Sequence, residues 1–151
     1  LGALANKLVP VVANGPLAFR LQEYATELQT RRSDLDDVLA RIGVDAREHT
    51  DDAMQALVAE ADKMVQVCAE SVRDAAIAAS LQRIIHYKIA GYGIIASYAK
   101  ALGRHEQAGH FAQLADRDKA IDAEISELAK ATLNLEAARS IPIESAPMTT
   151  H

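Results

Sequence analysis

Three charged side chains stand where helical periodicity demands apolar ones. Stepping alternately by three and four residues, the first seam runs Leu17, Leu21, Tyr24, Leu28, Leu35, Val38 and Ile42. Arg31 interrupts it, one turn after Glu27. A second seam of Ala78, Leu81, Ile85, Tyr92, Ile95, Ala99 and Leu102 is interrupted by Lys88. A third, of Phe111, Leu114, Ile121, Ile125 and Leu128, is interrupted by Asp118, with Asp122 one turn further on. A charge on a core-facing stripe is costly unless it is paired or put to use. Two chemistries are open. Glu27, Asp118, Asp122 and His86 could offer part of an oxygen-rich shell for a hard cation. Alternatively, Arg31 and Lys88 neutralise the acids and the layer is an ion-pair network. In a blander arrangement Lys88 snorkels along the seam to a surface partner.

Positioning these groups takes long helices. Residues 2–13 read as a short helix disturbed by Pro10. Asn14-Gly15-Pro16 is a stop and restart, with Pro16 a first helical residue. A helix over 16–42 follows, capped by Gly43, and 44–49 is a polar connection. Thr50 reads as the N-cap of a helix over 50–69. Ser71 then caps a helix over 72–102, with Asp74 in a capping-box position, and the last long helix covers 105–132. The short connection at Gly103 makes the two helices flanking it antiparallel neighbours. Lys88 precedes Gly103 by 15 residues and Asp118 follows it by 15, so the two charges should meet at one height. From Asn134 the pattern fails, so the expected division is a bundle over 1–134 and an extended tail over 135–151.

The stretch from Asp74 through Gln82, His86-Tyr87-Lys88 and Tyr92-Gly93 resembles the signature helix of the YciE/YciF-type ferritin-like proteins of bacteria. The resemblance continues through Asp118-Lys119-Ala120-Ile121-Asp122 and Glu127-Leu128-Ala129, and covers roughly residues 5–137. It implies an all-α, ferritin-like antiparallel four-helix bundle with an additional short helix. It also implies a dimetal site, because such bundles use Glu residues and Glu-x-x-His pairs facing inward. The family's signature helix usually reads Glu-His-Tyr-Glu; here Ile85-His86-Tyr87-Lys88 has lost both carboxylates. Its Glu-Glu-Glu-Lys run is Asp116-Arg117-Asp118-Lys119 here, Glu27 matches a family acid, and Arg31 stands where many members have His or Gln. The family's first-helix acid would fall near Gly2. The positions of a degraded metal site are therefore Glu27, Arg31, Ile85, Lys88, Asp118 and Asp122. The family's biochemical activity is unknown, with a loose tie to stress responses.

Composition narrows the remaining choices. The chain has 151 residues, half of them hydrophobic, with 4% aromatics and no Trp. That suits one all-α domain. A net charge of −5 argues against nucleic acid. The most apolar run, Ile84 to Ile95, contains His86 and Lys88 and is too short for a membrane span. The single Cys68 allows no internal disulfide and points to the cytoplasm; its helical setting makes it a small core residue. His86 reads as a core or interface histidine bonding a neighbour, while His105 and His110 read as solvated. His49 and His151 have no partner in sequence. Gly91 and Gly93 each weaken a helix by about 1 kcal/mol. They read as sites of close helix approach, or else as a local bulge beside a cavity.

The expectation is thus a non-catalytic bundle with no cofactor, acting as a structural or stress-associated homodimer. Ile77, Ile94 and Tyr98, with Met64 and Val65, supply its spare apolar surface. The alternatives are a di-iron or di-manganese carboxylate protein acting on oxygen or peroxide, and a helical module that binds a partner.

Overall fold

The computed structural model describes residues 2–41 and 50–140, and every element among them is helical. The elements are α1 (Gly2–Leu8), a 3-10 turn (Val9–Val11), α2 (Gly15–Arg41), α3 (Asp52–Val67), α4 (Glu70–Ala101) and α5 (His105–Leu128). A π-turn over Ala129–Leu133 leads into α6 (Asn134–Ser140). This is the expected all-α bundle of long antiparallel helices with a short one added.

The turns explain the topology. Pro10 sits in the first turn of the 3-10 element, second after its Leu8 cap, where its missing N–H costs nothing. Asn14 caps α2, its side-chain oxygen accepting from the Leu17 N–H at 3.1 Å. Between α4 and α5, Gly103 takes φ +71°. Its N–H reaches the Lys100 carbonyl at 3.0 Å, and the Arg104 N–H reaches that of Ala99 at 2.8 Å. These are the paired bonds of a Schellman turn, which reverses the chain tightly enough to set α5 against α4.

Several local expectations change. The α3 cap is Asp51, not Thr50; its carboxylate accepts from the Met54 N–H at 2.9 Å. Ser71 caps nothing, because α4 already starts at Glu70 after Ala69. Asp74 instead holds the α1–α2 elbow, accepting from the Asn14 N–H at 2.7 Å and the Ala13 N–H at 3.1 Å. Residues 135–140 are helix rather than extended tail. Leu133 is buried at 1% exposure, and that anchor carries the chain through the π-turn into α6. Cys68 is half-buried at the end of α3 rather than in the core. Ile42, Gly43, the connection over 44–49 and the expected tail beyond 140 lie outside the described residues.

The core is lopsided. Leu4, Leu8, Leu17, Leu21, Ile77, Leu81, Ile84, Ile85, Ile121 and Ile125 form one dry cluster. It joins the first half of α2 and α4 to the second half of α5. Ile77 thus belongs to the core, four residues before Leu81 on the same face, and not to a spare surface. Met64 and Val65 are half-buried. Beyond Lys88 the α4 seam is covered only in part: Ala99 is buried and Tyr92 meets Phe111 of α5, but Ile95 is 43% and Leu102 74% exposed. A Cβ added at Gly91 or Gly93 would meet nothing within 4 Å. Neither glycine marks a close helix approach.

Candidate functional site: a buried charge layer

Asp118 is the centre of the layer and is completely buried. From α2, Arg31 bonds through Nη1 to Asp118 Oδ1. From α4, Lys88 Nζ lies 3.0 Å from Asp118 Oδ2. Lys88 and Asp118 thus meet at one height across the Gly103 turn, as their equal spacing from it predicts. Arg31 Nη2 also donates to Glu27 Oε2 at 2.8 Å. Lys88 donates its aligned hydrogen bond to the Tyr24 hydroxyl at 2.8 Å. Its ammonium also lies over the rings of Tyr24 and Tyr92, at 5.0 and 5.5 Å from their centres. Lys88 does not snorkel, since its side chain is only 9% exposed.

The electrostatics follow from burial. Desolvation lowers the Lys88 pKa from its ordinary value, opposed by the Asp118 charge. Desolvation also acts to lower Arg31, but its hydrogen bond to Asp118 and that carboxylate's charge hold the guanidinium above its ordinary value. Burial pushes the phenols of Tyr24 and Tyr92 up, and the Asp118 charge adds to the effect. Both tyrosines are therefore neutral hydrogen-bonding groups at physiological pH. The layer joins three helices through charges of opposite sign, as expected where charges must be buried together.

The six sequence-selected positions divide. Glu27, Arg31, Lys88 and Asp118 converge. Ile85 is fully buried in the apolar core beside the layer, one turn before Lys88. Asp122 is not part of the layer. It turns to the other flank of α4, where it meets Gln82 at 3.0 Å and His86 Nε2 at 3.0 Å. A four-residue step overshoots a full helical turn by about 40°, which suffices to rotate Asp122 off the seam. His86 is 65% exposed, so it bonds a neighbour but is not a core residue. His110 is half-buried rather than solvated, edge-on to Phe111 with ring centres 5.6 Å apart. It lines a cleft of about 270 Å³ between α2 and α5, with Glu27, Arg31 and Asp34.

Sequence reasoning missed Tyr24 and Tyr92 as members of the site. The available signal was chemical, because a tyrosine on a core seam needs a partner for its hydroxyl. Tyr24 precedes Arg31 by two turns and Tyr92 follows Lys88 by one.

This donor set does not fit a dimetal centre. Asp118 spends both oxygens on fixed cations, and Glu27 is engaged by Arg31. Among the described residues no three His, Cys, Asp or Glu side chains gather as metal ligands would. A divalent cation placed here would face a guanidinium and an ammonium before it met a free carboxylate.

The family profile described as "Domain of unknown function (DUF892)" matches residues 2–138. The chain belongs to the DUF892 family. Protein YciF of Escherichia coli strain K12 is 35% identical over 86 residues, 56% of this chain and 52% of that protein. The chain thus matches about half the length of this curated relative. Among solved structures, the E. coli stress protein YciF superposes with a TM-score of 0.80 at 27% identity, covering 88% of this chain and 85% of that one. YcfI from Rhodopseudomonas palustris, to which a structural role is provisionally attributed, superposes with a TM-score of 0.76 at 26% identity. That match covers 83% of this chain and 80% of the other. The superposition on these structures agrees with the all-α fold of the chain. No helix among the described residues is long and apolar enough to cross a membrane.

Proposed function

We propose that this DUF892 protein is a non-catalytic, metal-free bundle that serves as a structural, stress-associated homodimer in the cytoplasm. One observation carries the reading: Asp118, fully buried, is held between Arg31 and Lys88. The layer is electrically occupied by the chain itself. It has no open coordination position and no nucleophile poised beside a base, so it supports rigidity rather than turnover. The descriptions of the two solved relatives, a stress protein and a protein with a provisionally attributed structural role, agree with that reading.

The homodimer rests on a stripe along α4. Ile94, Tyr98 and Leu102 are spaced by one helical turn and are 57%, 69% and 74% exposed. Apolar surface aligned in this way favours a matching helix from a second copy. The test combines elemental analysis with light scattering, on protein purified from iron- and manganese-supplemented cells. The proposal expects far less than one metal per chain and a particle of twice the 16.2 kDa chain mass. Metal near two per chain would overturn the metal-free reading. A monomer at micromolar concentration would overturn the dimer.

A further inference from the structure

The exposed stripe on α4 has a polarity as well as an apolar surface. Its large members are Tyr87, Ile94, Ile95, Tyr98 and Leu102, at 38%, 57%, 43%, 69% and 74% exposure. At those fractions they leave roughly 500 Å² open on one chain, so a pair of chains would bury about 1,000 Å² in all, the size at which a specific interface becomes stable.

The two ends of the stripe differ in charge. At the first end the Tyr87 hydroxyl donates to both carboxylate oxygens of Asp51, at 2.9 and 3.0 Å, which sets the N-terminus of α3 against α4. Asp51 and Asp52, both exposed, outnumber the exposed Arg83 there. At the last end the exposed Lys100 and Arg104 outnumber Glu106. On α2, across the groove, Asp36 is set against Arg32 at 3.8 Å, and Asp37 lies outside the groove lining. Two such stripes laid side by side in the same direction would stack like charge on like. Laid in opposite directions, they bring each acidic end to a basic one.

We infer that a second copy docks on α4 in antiparallel order, about a two-fold axis at Ile94. This deepens the homodimer reading and rests on it. A two-fold contact pairs residue i with j and j with i, so Ile94 meets its own counterpart. Tyr98, four residues after Ile94, falls opposite the exposed Ala90 of the partner subunit, four residues before it. That small side chain leaves room for the tyrosine ring. Leu102 reaches the partner's Tyr87, while Lys100 and Arg104 come to the corner that holds the partner's Asp51 and the partner's Asp52.

Ile94→Cys and Leu102→Cys, each in a Cys68→Ala background, read the order directly. In antiparallel order Leu102 stands eight residues from the axis on each chain. The two copies of that position are then about 24 Å apart at the helical rise, too far for a disulfide. Mild oxidation of dilute protein should link Ile94→Cys into a covalent dimer and leave Leu102→Cys unlinked, although Leu102 is the more exposed of the two. Lys100→Glu should weaken the dimer about tenfold, since the contact occurs twice. Asp52→Lys in the same chain should restore most of that loss. Light scattering of the reduced proteins separates the two levels of claim. A monomeric parent would overturn the homodimer reading and this inference with it. With a dimeric parent, three results would overturn the antiparallel order while the homodimer stands: Leu102→Cys links, dimeric Ile94→Cys does not, or Lys100→Glu costs nothing.

Discussion

On one side of the Arg31–Asp118–Lys88 layer, the helices close on a dry core with Leu17, Leu21, Ile84 and Ile85 completely buried. On the other side the same α4 continues with Ile94, Ile95, Tyr98 and Leu102 largely in solvent. Both halves carry apolar residues at helical spacing, so pattern alone does not separate them. The difference is what stands opposite. The first half of α4 meets α3, α6 and the end of α5, whereas its second half meets only the start of α5 and borders an open groove. Stability is concentrated in the closed half, and the open half keeps surface for recognition. The charge layer sits at the boundary, where its cations are desolvated by the core yet still border the groove.

The sharpest way to break that comparison is to remove the anion. Asp118→Leu leaves buried Lys88 with no carboxylate and Arg31 with Glu27 alone, and should cost about 3–5 kcal/mol in urea unfolding. Lys88→Met leaves Asp118 paired with Arg31 and should cost less, about 1.5–3 kcal/mol. The double variant should be milder than the sum of the singles, since it removes both partners together. Equal costs for the two singles, or simple additivity, would mean that Asp118 is not shared.

How far the sequence reveals this differs by region. Helix order, the turn at Gly103 and the meeting of Lys88 with Asp118 follow from period and count, because a tight reversal ties height to residue number. Asp122 was misplaced because a heptad-like step hides the rotation that accumulates over one turn. The exposed second half of α4 was illegible because burial depends on what covers a face, which periodicity does not encode. Tyr24 was legible as core but not as a hydrogen-bonding member of the layer. Gly91 and Gly93 read in sequence as packing points or as a bulge beside a cavity, and the space around a helical glycine, which decides between them, is not encoded in its spacing.

Alkaline titration sharpens the role of burial with a smaller effect. The Tyr24 phenol is raised above its ordinary 10.0, so the folded protein retains a proton that the unfolded chain loses. Stability should therefore fall as pH rises above about 10. Lys88 acts in the opposite sense: its pKa is lowered from 10.5, so its contribution grows with pH in the window below that value. Urea midpoints followed from pH 8 upward should rise or stay flat and then fall, with the rising part absent in Lys88→Met. A smooth fall in both proteins would show that Lys88 is not desolvated. The smallest effect concerns the open half. Gly91→Ala should stabilise by about 0.5–1 kcal/mol, because the helix gains and nothing is displaced. A loss of stability there would mean that the groove is closed in solution.

The central claim is that the chain's own cations stand where a metal-binding bundle places ligands. Thermal melting of the parent and of the triple variant Arg31→His, Ile85→Glu, Lys88→Glu, each with and without Mn²⁺, tests it most directly. The variant presents Glu27, Asp118, two new carboxylates and an imidazole to one space. Without metal it should melt below the parent, because like charges crowd a desolvated site. Mn²⁺ should raise the melting temperature of the variant alone, since a metal that binds only the folded form stabilises it. An equal rise in both proteins, or in neither, would contradict the claim.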